Sequence, residues 1–393
     1  MKSLPRKKNI YVALNAAYEH QRGIQRGILR FALAEPSWRL MNVAHEGQLG
    51  HEFRRVEKVD GVIGNFSDID AEGEALRLVR LRGIRAVVSV SARSPVALVP
   101  RIIPDDERVG ALAAEFFLQS PFRHFAYYAG GMQPPHWAAV RRGRAFRDRL
   151  ARDGYVCREL EAGTLFGRDP DWPKPCALFV FNTHEARVVL ESLLLQDVLV
   201  PEEVALLGVD QDPWQQQLSP LSLSAVVLDT ERIGFQAAAL LKRLMEGETV
   251  PSDHEESVPP LRIDVAASTE ATECPDEFVG RALALIRRDI ARLSSVEDCA
   301  LLVGASRRKL ERRTRAALGK TVYAVMQSAR VDYAKRLLLE TDLKLADVAA
   351  AAGFADGRML SVVFQQFAGE APSSFRRRAG AHPSARQRNR GGQ

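Results

Sequence analysis

The chain of 393 residues contains only four cysteines and no long apolar run. The cysteines, at positions 157, 176, 274 and 299, form no CxxC pair and have no histidines at metal-ligand spacing, so they indicate neither a disulfide framework nor a zinc site. We expect buried, reduced thiols. The basic N-terminus is followed by an apolar stretch, 10–14, that is too short for a signal peptide, and no stretch approaches the length of a membrane span. These absences predict a cytoplasmic protein that does not enter the membrane.

The sequence also lacks the usual motifs of catalysis and of nucleotide binding. No GxGxxG follows a predicted strand, and no GxxxxGK followed by Ser or Thr occurs, so nothing predicts a loop that binds phosphate. His136, His184 and the scattered cysteines offer neither a nucleophile with a paired base nor a metal cluster. We therefore expect no catalytic residue, no metal and no cofactor, and a protein that is not an enzyme.

Charge is divided unevenly along the chain. Residues 277–393 hold 22 Lys and Arg against 11 Asp and Glu, a net charge of +11, whereas the whole chain carries +6, which leaves −5 for residues 1–276. A basic module joined to a mildly acidic body is typical of a protein in which one part binds a polyanion such as DNA. A solvated helical surface rich in arginine would give the same charge, so charge alone does not decide between the two.

Residues 9–266 alternate short β-rich runs with amphipathic helical patterns, such as the one at 72–82. The alternation predicts parallel sheets with helices on both faces. Several strand candidates are almost wholly apolar, which is typical of strands covered on both faces. So many strands over this length favour two doubly wound lobes over a single sheet. The candidates are 9–14, 38–44, 60–66, 85–91, 124–130, 176–182, 204–210 and 224–230.

Polar side chains collect where these strands end, and in doubly wound sheets the ligand crevice lies beyond the carboxyl ends of the strands. Without a phosphate-binding loop, a small, polar, uncharged ligand is the better prediction. Trp137 and Arg142 begin a helix pattern near this rim and suit the apolar face and the hydroxyls of a sugar. Taken singly, each candidate is better explained as a helix cap or as rim packing, and Asp106 in particular as an N-cap. The candidate ligand-binding residues are Asn15, Glu19, Asp105, Asp106, Trp137, Arg142, Asn182 and Asp210.

The composition changes between residues 248 and 276. Residues 248–260 are polar and contain proline, and 261–268 predict a last edge strand. From Glu277 the pattern is wholly helical, and the end of the chain is low in apolar residues. The predicted organisation is an α/β domain at 1–268, a linker at 269–276, an all-α domain at 277–380 and a disordered basic tail at 381–393.

An internal repeat is the strongest signal in the chain. Two segments, 296–310 and 345–360, share an Ala in a first helix, a Gly four residues later, an N-cap and then a Leu. Gly permits the left-handed conformation that ends the first helix, the cap begins the second, and Leu faces the core that both share. This is the plan of a helix-turn-helix, and its repetition predicts two such units. The matched pairs are Ala300 and Ala349, Gly304 and Gly353, Ser306 and Asp356, and Leu310 and Leu360.

The recognition helices of the two units are predicted at 307–318 and 357–367. Between the units, residues 323–339 predict a helix of about 25 Å, which would hold the recognition helices about one DNA turn apart. Arg376–Arg378 follow the last helical pattern and are expected to meet phosphates at best. A plain helical bundle with an arginine-rich face is the alternative that this pattern disfavours. Basic residues that recur at helical spacing in the first recognition helix, so that several can reach a groove or its phosphates, are Arg308, Lys309, Arg312 and Arg313.

Residues 295–378 resemble the AraC/XylS-type DNA-binding domain almost from end to end, most clearly in RVDYAKRLLLETDLKLADVAAAAGF and VFQQFAGEAPSSFRR. Thr314, Val322 and Leu360 depart from the usual Phe, Pro and aromatic residue. The second unit is expected to read fewer bases, because Val362 stands where a basic residue is common. The resemblance implies base contacts from Arg308, Glu311, Arg312, Arg358 and Ser361. With the start of the first recognition helix added, the candidate DNA-binding residues are Ser306, Arg307, Arg308, Lys309, Glu311, Arg312, Arg358 and Ser361.

The first part of the chain resembles the ligand-sensing domain of LacI-type regulators, which has the fold of periplasmic sugar-binding proteins. The resemblance rests on NIYVALNAAYEHQRGIQRGILRF, HFAYYAGGMQPPHWAAVRRGRAFRDRL, VPEEVALLGVDQDPW and IGFQAAALLKRLMEG. It implies a two-lobed periplasmic-binding-protein-like domain. The family's frequent Asn-Asp pair is Asn182-Thr183 here, so a pentose or related sugar is the implied ligand, with xylose as one candidate. The residues that fall on sugar-contacting positions are Asp105, Arg142, Asn182 and Asp210.

A sensor of this type before an AraC-type domain implies a sugar-responsive transcription regulator, most simply an activator of genes for the use of xylose or a related pentose. Its expected partners are an operator in double-stranded DNA, the sugar effector, a second copy of the chain in a homodimer, and RNA polymerase. A repressor and a sensor of another small molecule remain open. A sugar-processing enzyme with a DNA-binding appendage would need catalytic residues that the sequence lacks. A passive sugar-binding module would need export, which the missing signal peptide disfavours.

Overall fold

The computed structural model of the chain describes residues 6–43, 58–66, 83–91, 99–132, 135–165, 173–219, 221–270 and 276–380. The chain divides into two compact units between Glu270 and Ala271. Three predicted features lie wholly or mostly outside the described residues. They are the helical pattern at 72–82, the linker at 269–276 and the tail at 381–393.

The described strands of the first unit form two six-stranded sheets, which confirms the predicted pair of doubly wound lobes. All neighbouring strands are parallel except β12, which runs antiparallel to β10 at the edge of the second sheet. The first sheet contains, in spatial order, β11 (Glu255–Val258), β5 (Arg101–Pro104), β4 (Val87–Ser89), β3 (Gly61–Gly64), β1 (Lys8–Ala13) and β2 (Trp38–Val43). The second contains β12 (Arg262–Asp264), β10 (Ser224–Val227), β9 (Val204–Val209), β8 (Cys176–Val180), β6 (His124–Tyr128) and β7 (Cys157–Leu160).

Helices follow the strands, as the alternating pattern predicts. The central strands are apolar and buried on both faces, so each sheet needs a helical layer on either side. The described helices of this unit are α1 (Glu19–Leu33), α2 (Asp106–Leu118), α3 (Trp137–Arg152), α4 (Ala162–Leu165), α5 (Thr183–Leu195), α6 (Pro213–Leu218) and α7 (Thr230–Met245).

The chain crosses between the two lobes at three places. Strand β5 lies in the first sheet, but the helix that follows it, α2, packs on α3 of the second lobe. Strand β10 lies in the second sheet, but α7 returns to pack on α1 of the first lobe. The last crossing joins β11 to β12. The chain therefore passes back and forth between the two lobes, and its three short crossings leave a cleft between them.

Three observed strands, β5, β7 and β11, are not among the predicted ones. The interpretation of 248–260 as a polar boundary is wrong at Glu255–Val258, because these residues form β11 on the first sheet. Three of the four residues of β11 are exposed, so this edge strand has no apolar pattern to reveal it. The edge strand predicted at 261–268 is confirmed as β12.

The described part of the second unit is wholly helical, as predicted. The predicted recognition helices are confirmed within one residue as α10 and α13. The expectation that Arg376–Arg378 follow the last helix is wrong, because they lie within α14. The helices are α8 (Glu277–Asp289), α9 (Val296–Leu302), α10 (Arg307–Leu318), α11 (Val322–Glu340), α12 (Leu345–Ala351), α13 (Gly357–Ala368) and α14 (Pro372–Gly380).

Two apolar cores stabilise the second unit, and α11 contributes to both. Val322 and Met326, near its start, pack with α8, α9 and α10. Ala334 and Leu338, near its end, pack with α12 and α13. One continuous helix of 19 residues therefore holds the two helix-turn-helix units, α9–α10 and α12–α13, in a fixed relation.

Within the described part of the chain, no helix is long and apolar enough to cross a membrane, and no group of three His, Cys, Asp or Glu side chains is arranged to hold a metal ion. Cys176 and Cys299 are buried free thiols. Cys157 is also a free thiol but is only partly buried, against expectation, because it lies on the edge strand β7. Cys274 lies outside the described residues.

Candidate functional site

The candidate ligand site lies in the cleft of the first unit, where strands of both sheets end. Two contacts join the lobes here: His20 Nδ1 lies 3.9 Å from Asp210 Oδ2, and a terminal nitrogen of Arg22 lies 3.9 Å from Asp212 Oδ1. His20 and Arg22 belong to the first two turns of α1, whereas the two aspartates follow β9. The carboxyl ends of the two sheets therefore face each other, which is where a doubly wound fold binds its ligand.

Arg142 is the central charge of the cleft, and it is only 5% exposed. Its Nε donates to Asp106 Oδ1 over 2.8 Å, and a terminal nitrogen donates to the main-chain oxygen of Phe181 over 2.9 Å. The guanidinium carbon lies 5.2 Å from the centre of the Phe181 ring. A Cβ at Gly110 would lie 2.2 Å from the main-chain oxygen of Arg142, so only glycine lets α2 and α3 approach closely enough for this pair. The guanidinium is thus fixed by three contacts.

Asp106 is fully buried, and its second carboxylate oxygen, Oδ2, has no hydrogen-bond partner among the described residues. Burial raises the pKa of Asp106, and the neighbouring Arg142 opposes that rise. The alternative prediction for Asp106 is wrong, because Asp105 is the cap: its Oδ1 accepts from the amide of Arg108 over 2.9 Å. A buried acceptor without a donor costs about 1–3 kcal/mol, so a donor that reached Oδ2 would stabilise the protein.

Asp210 directly follows β9 and has a left-handed backbone, with φ 71°. Its Oδ1 accepts from the amide of Gln211 over 3.1 Å. Burial raises the pKa of Asp210 to about 6, while the Gln211 amide and the charge of Arg142 lower it. Asp106, Arg142 and Asp210 therefore form one electrostatic cluster, and the structure brings these three predicted residues together.

Two histidines at the cleft were not among the predicted residues. Burial and the charge of Arg142 lower the pKa of His20 to about 4, and the same causes lower the pKa of His136 to about 4. The His136 ring lies 5.6 Å from the Phe181 ring, and its side chain caps α3. Both imidazoles are neutral at pH 7, and since His136 Nδ1 accepts from the amide of Ala138, His136 offers its Nε2 as a donor. His20 follows Glu19 and His136 precedes Trp137, so their position beside predicted residues was the available signal.

Asn15 and Asn182 lie at the same rim but use one polar atom each for local structure. Asn15 Oδ1 accepts from the amide of Ala17 over 2.9 Å. Asn182 Oδ1 accepts from the amide of Glu185 over 2.8 Å and so caps α5. These contacts fix the orientation of both side chains and leave the side-chain nitrogens, Nδ2, as the groups that could donate to a ligand.

Glu19 and Trp137, the remaining predicted residues, are the first residues of α1 and α3. Both carboxylate oxygens of Glu19 accept from arginines, from Arg22 over 2.8 Å and from Arg26 over 2.8 Å. This carboxylate is therefore engaged with its own helix. Trp137 is 37% exposed at the start of α3.

The helix-turn-helix units of the second unit have the predicted geometry. Gly304 and Gly353 have φ values of 66° and 76°, and the side chains of Ser306 and Asp356 cap the recognition helices. The predicted core residues, Leu310 and Leu360, are fully buried. Both units are therefore built as the repeat predicts.

The basic side chains of α10 point in three directions. Arg307 pairs with Glu297 of α9, while Lys309 and Arg313 lie over the start of α8. Arg313 is also paired with a carboxylate there, so the expectation that it reaches DNA does not fit its contacts. The exposed arginines of α10 that have no carboxylate partner among the described residues are Arg308, Arg312 and Arg315.

The other predicted DNA-binding residues differ in exposure. Glu311 Oε2 accepts from the amide of Val322 over 3.3 Å, which directs this carboxylate to the start of α11. Ser361 is half-buried, and its hydroxyl donates to the main-chain oxygen of Gly357 over 2.8 Å. Arg358 is exposed in the first turn of α13. The exposed arginine content is thus higher on α10 than on α13.

Comparisons with known proteins agree with both halves of this description. A family model of the periplasmic binding protein-like domain matches residues 114–269, and a model of a helix-turn-helix domain matches residues 299–378. The chain is 25% identical over 390 residues to the xylose operon regulatory protein of Escherichia coli (strain K12), which covers 94% of this chain and 97% of that protein. It is 26% identical over 333 residues to the xylose operon regulatory protein of Haemophilus influenzae, which covers 81% and 85%.

The structure of the xylose-binding transcription activator xylR has the same fold over nearly the full length. The TM-score is 0.80 at 22% sequence identity, and the match covers 95% of this chain and 98% of that one. The chain therefore matches a periplasmic binding protein-like domain followed by a helix-turn-helix domain, and over most of its length it is similar to the two xylose operon regulatory proteins. The resemblance inferred from the sequence is confirmed.

Proposed function

We propose that this protein is a cytoplasmic transcription regulator that binds a pentose in its cleft and an operator through α10 and α13, and that it activates genes for the use of xylose or a related sugar. In this proposal the chain acts as a homodimer, contacts RNA polymerase and is not an enzyme. Sugar binding favours one arrangement of the two lobes and so changes the affinity for DNA.

The cluster of Asp106, Arg142 and Asp210 carries the sensor half of the proposal. It combines a fixed cation with two carboxylates, one of which has an unpartnered buried oxygen. Adjacent hydroxyls of a sugar donate to carboxylates and accept from a guanidinium, so the cluster suits a polyol without net charge. The half-exposed indole of Trp137 suits the apolar face of such a ring.

Two observations bear on the proposal that the sugar is a pentose. The two relatives described above are named for the xylose operon. Thr183, in place of the family's frequent Asp, is buried, and its hydroxyl donates to the main-chain oxygen of Val209 over 3.0 Å. The Thr183 hydroxyl is thus bound to the end of β9, and position 183 adds no carboxylate to the cleft. A repressor, or a sensor of another small polar molecule, is the alternative within the same class.

A calorimetric titration of the full chain with D-xylose, L-arabinose, D-ribose and D-glucose tests the sensor. One pentose should bind more tightly than the hexose, and Asp106→Asn and Asp210→Asn should each weaken it by about 1–3 kcal/mol, which is roughly a 5- to 150-fold rise in Kd. Asp148→Asn is the matched control, because Asp148 is exposed on α3. Sugar binding that survives both cleft substitutions would place the ligand elsewhere.

A further inference from the structure

The start of α8 is attached to the first recognition helix by a pair of charged side chains. Asp276 precedes α8 and caps it, since its Oδ1 accepts from the amide of Val279 over 3.2 Å. The same carboxylate accepts from Arg313 of α10 twice, from Nε to Oδ2 over 2.6 Å and from a terminal nitrogen to Oδ1 over 2.6 Å. A fork of this kind fixes direction as well as distance, because two parallel bonds allow little rotation.

The ring of Phe278 lies next to Arg313, one of the two charged side chains. The guanidinium carbon of Arg313 lies 4.8 Å from the centre of the Phe278 ring, and the ammonium of Lys309 lies 5.2 Å from it. Lys309 and Arg313 are four residues apart and so occupy one face of α10. We call Asp276, Phe278 and Arg313 the α8–α10 clamp. The pKa of Asp276 is lowered, with the Arg313 hydrogen bonds as the largest cause, so its carboxylate is ionised at pH 7.

The rest of α8 is held by apolar packing. Ala282 and Ile286 lie in the apolar core that α8 shares with α9, α10 and α11, and Phe278 packs against the same core. A packed core resists displacement, and the charged clamp adds a directional contact between the first turn of α8 and α10. The first turn of α8 therefore has both an apolar and a charged link to α10.

Asp276 lies six residues after Glu270, where the first unit ends, and it caps the first helix of the second unit, so the chain that leaves the first unit reaches the second beside this carboxylate. Arg308 and Arg312 lie on the same helix as Arg313, on its exposed side. A small rotation of α10 about its axis moves both arginines relative to a DNA groove. The clamp thus connects Asp276, at the start of α8, to the helix that carries Arg308 and Arg312.

We propose that the α8–α10 clamp positions the first recognition helix and carries the ligand state of the first unit to it. This inference rests on the proposed function, because it requires a sugar that alters operator binding. Arg313 is a positioning residue in this scheme: it acts through the orientation of α10 and contacts no base. The clamp sets how strongly sugar changes DNA affinity and leaves the sugar affinity of the DNA-free protein unaltered.

The test measures the operator Kd of the full chain with and without saturating D-xylose. Allosteric coupling of this kind typically changes affinity by about 5- to 150-fold. In Asp276→Asn and in Arg313→Gln the sugar-induced change should fall to within about twofold, while sugar affinity measured by calorimetry stays at the parent value. Asn keeps the capping ability of position 276, so the first substitution removes the charged fork without removing the cap.

Three further variants separate the clamp from general damage. Arg313→Lys keeps the charge but not the fork and should lose most of the coupling. Arg281→Gln, an exposed change on α8, should lose none of it. The double variant Asp276→Asn with Arg313→Gln should lose no more coupling than either single variant, because both remove one interaction.

Two outcomes separate a failure of the proposed response to xylose from a failure of the clamp. If D-xylose leaves the operator affinity of the parent protein unaltered, the proposed response to xylose fails. If the parent responds and Asp276→Asn and Arg313→Gln respond equally well, the clamp does not carry the signal and the inference is overturned. A thermal unfolding curve that matches the parent shows that a variant is folded, and Arg313→Lys provides the measurement if Arg313→Gln does not fold.

Discussion

Asp210 combines a left-handed backbone with a carboxyl group that burial makes hard to ionise. Its pKa is about 6 in the folded chain, above the value of about 4 that is usual in an unfolded one. The unfolded state therefore loses the proton first as pH rises. The folded state carries no penalty from this group below about pH 4, and the penalty grows until the pH passes about 6.

We predict that Asp210→Asn stabilises the protein at neutral pH and much less so at low pH. Asn tolerates the left-handed conformation, so the substitution adds little backbone strain. The gain in free energy of unfolding should be about 2 kcal/mol larger at pH 7.5 than at pH 4.5. Urea unfolding of both proteins at the two pH values measures it. An equal gain at both would mean that Asp210 is not the titrating group.

The residue pairs of the cleft could be predicted only in part. The polar residues at strand ends are visible in the sequence because parallel strands bring their ends to one edge. The pairing of Asp106 with Arg142 is not, because the two lie 36 residues apart and depend on the close crossing at Gly110. His20 and His136 were missed for a related reason. Their importance comes from burial beside a cation, which no local pattern encodes.

At the scale of the elements, the two helix-turn-helix glycines share a conformation but not an environment. Both have positive φ, yet a Cβ at Gly304 would meet nothing within 4 Å, whereas a Cβ at Gly353 would lie 3.2 Å from Arg330 Nε. Arg330 is buried and donates to the main-chain oxygen of Leu293 over 2.9 Å, so it has little freedom to move. A side chain at position 304 would therefore strain only the backbone. A side chain at position 353 would also need space beside Arg330.

Gly304→Ala should therefore lower the free energy of unfolding by about 1–2 kcal/mol, and Gly353→Ala by roughly 1 kcal/mol more than that. Chemical denaturation followed by far-ultraviolet circular dichroism compares the two. Gly304→Asn serves as the control, because Asn adopts the left-handed conformation at lower cost. Equal losses at the two glycines would show that Arg330 moves aside freely.

The exposed arginines of α10 and α14 should act on DNA in different ways. Arg308 lies in the first turn of α10, where a bidentate contact to guanine is worth about 1–3 kcal/mol, and Arg377 is exposed on α14. We predict that Arg308→Ala relaxes preference at one base pair, whereas Arg377→Ala weakens all sequences alike and lowers the salt slope by about one. Titration of both variants against single-base operator variants at two salt concentrations distinguishes them. Indistinguishable profiles would remove Arg308 from base readout.

The helices and strands match the prediction wherever the sequence has a clear apolar or capping pattern. Strands such as β8 and β9 are apolar throughout, and α10 has a cap, a buried Leu and a final Gly, so each end is marked. Strands β7 and β11 are short edge strands with mostly exposed residues. Edge strands are held by pairing with a neighbour and need no apolar face, so their sequences carry no alternation.

At the scale of the whole molecule, α11 determines which operators fit. Its 19 residues span about 28 Å, and it takes part in both apolar cores, so it cannot bend to follow a change in spacing. We predict that inserting five base pairs between the two half-sites reduces binding to the level of one half-site, because the second site then faces the opposite side of the duplex.

Insertion of a full turn, about ten base pairs, should not restore binding, because the second half-site is then about 34 Å farther away. A mobility-shift titration of the three operators, with an isolated half-site as reference, tests both statements. Recovery at the full-turn insertion would mean that the two units bind independently and that α11 does not hold them as one body.

Because a single chain carries both recognition helices in a fixed order, its complex with DNA has a polarity. Position 308 corresponds to 358 and both are arginine, but Arg312 corresponds to Val362, so the two ends of the protein prefer unlike base sequences. The DNA segment that one chain binds has no need to be a palindrome, and turning this segment around reverses that chain along the duplex. Within the segment, a mutation in one recognition helix alters the contacts in one groove only. Each half of the operator can therefore drift separately in evolution, one base pair at a time.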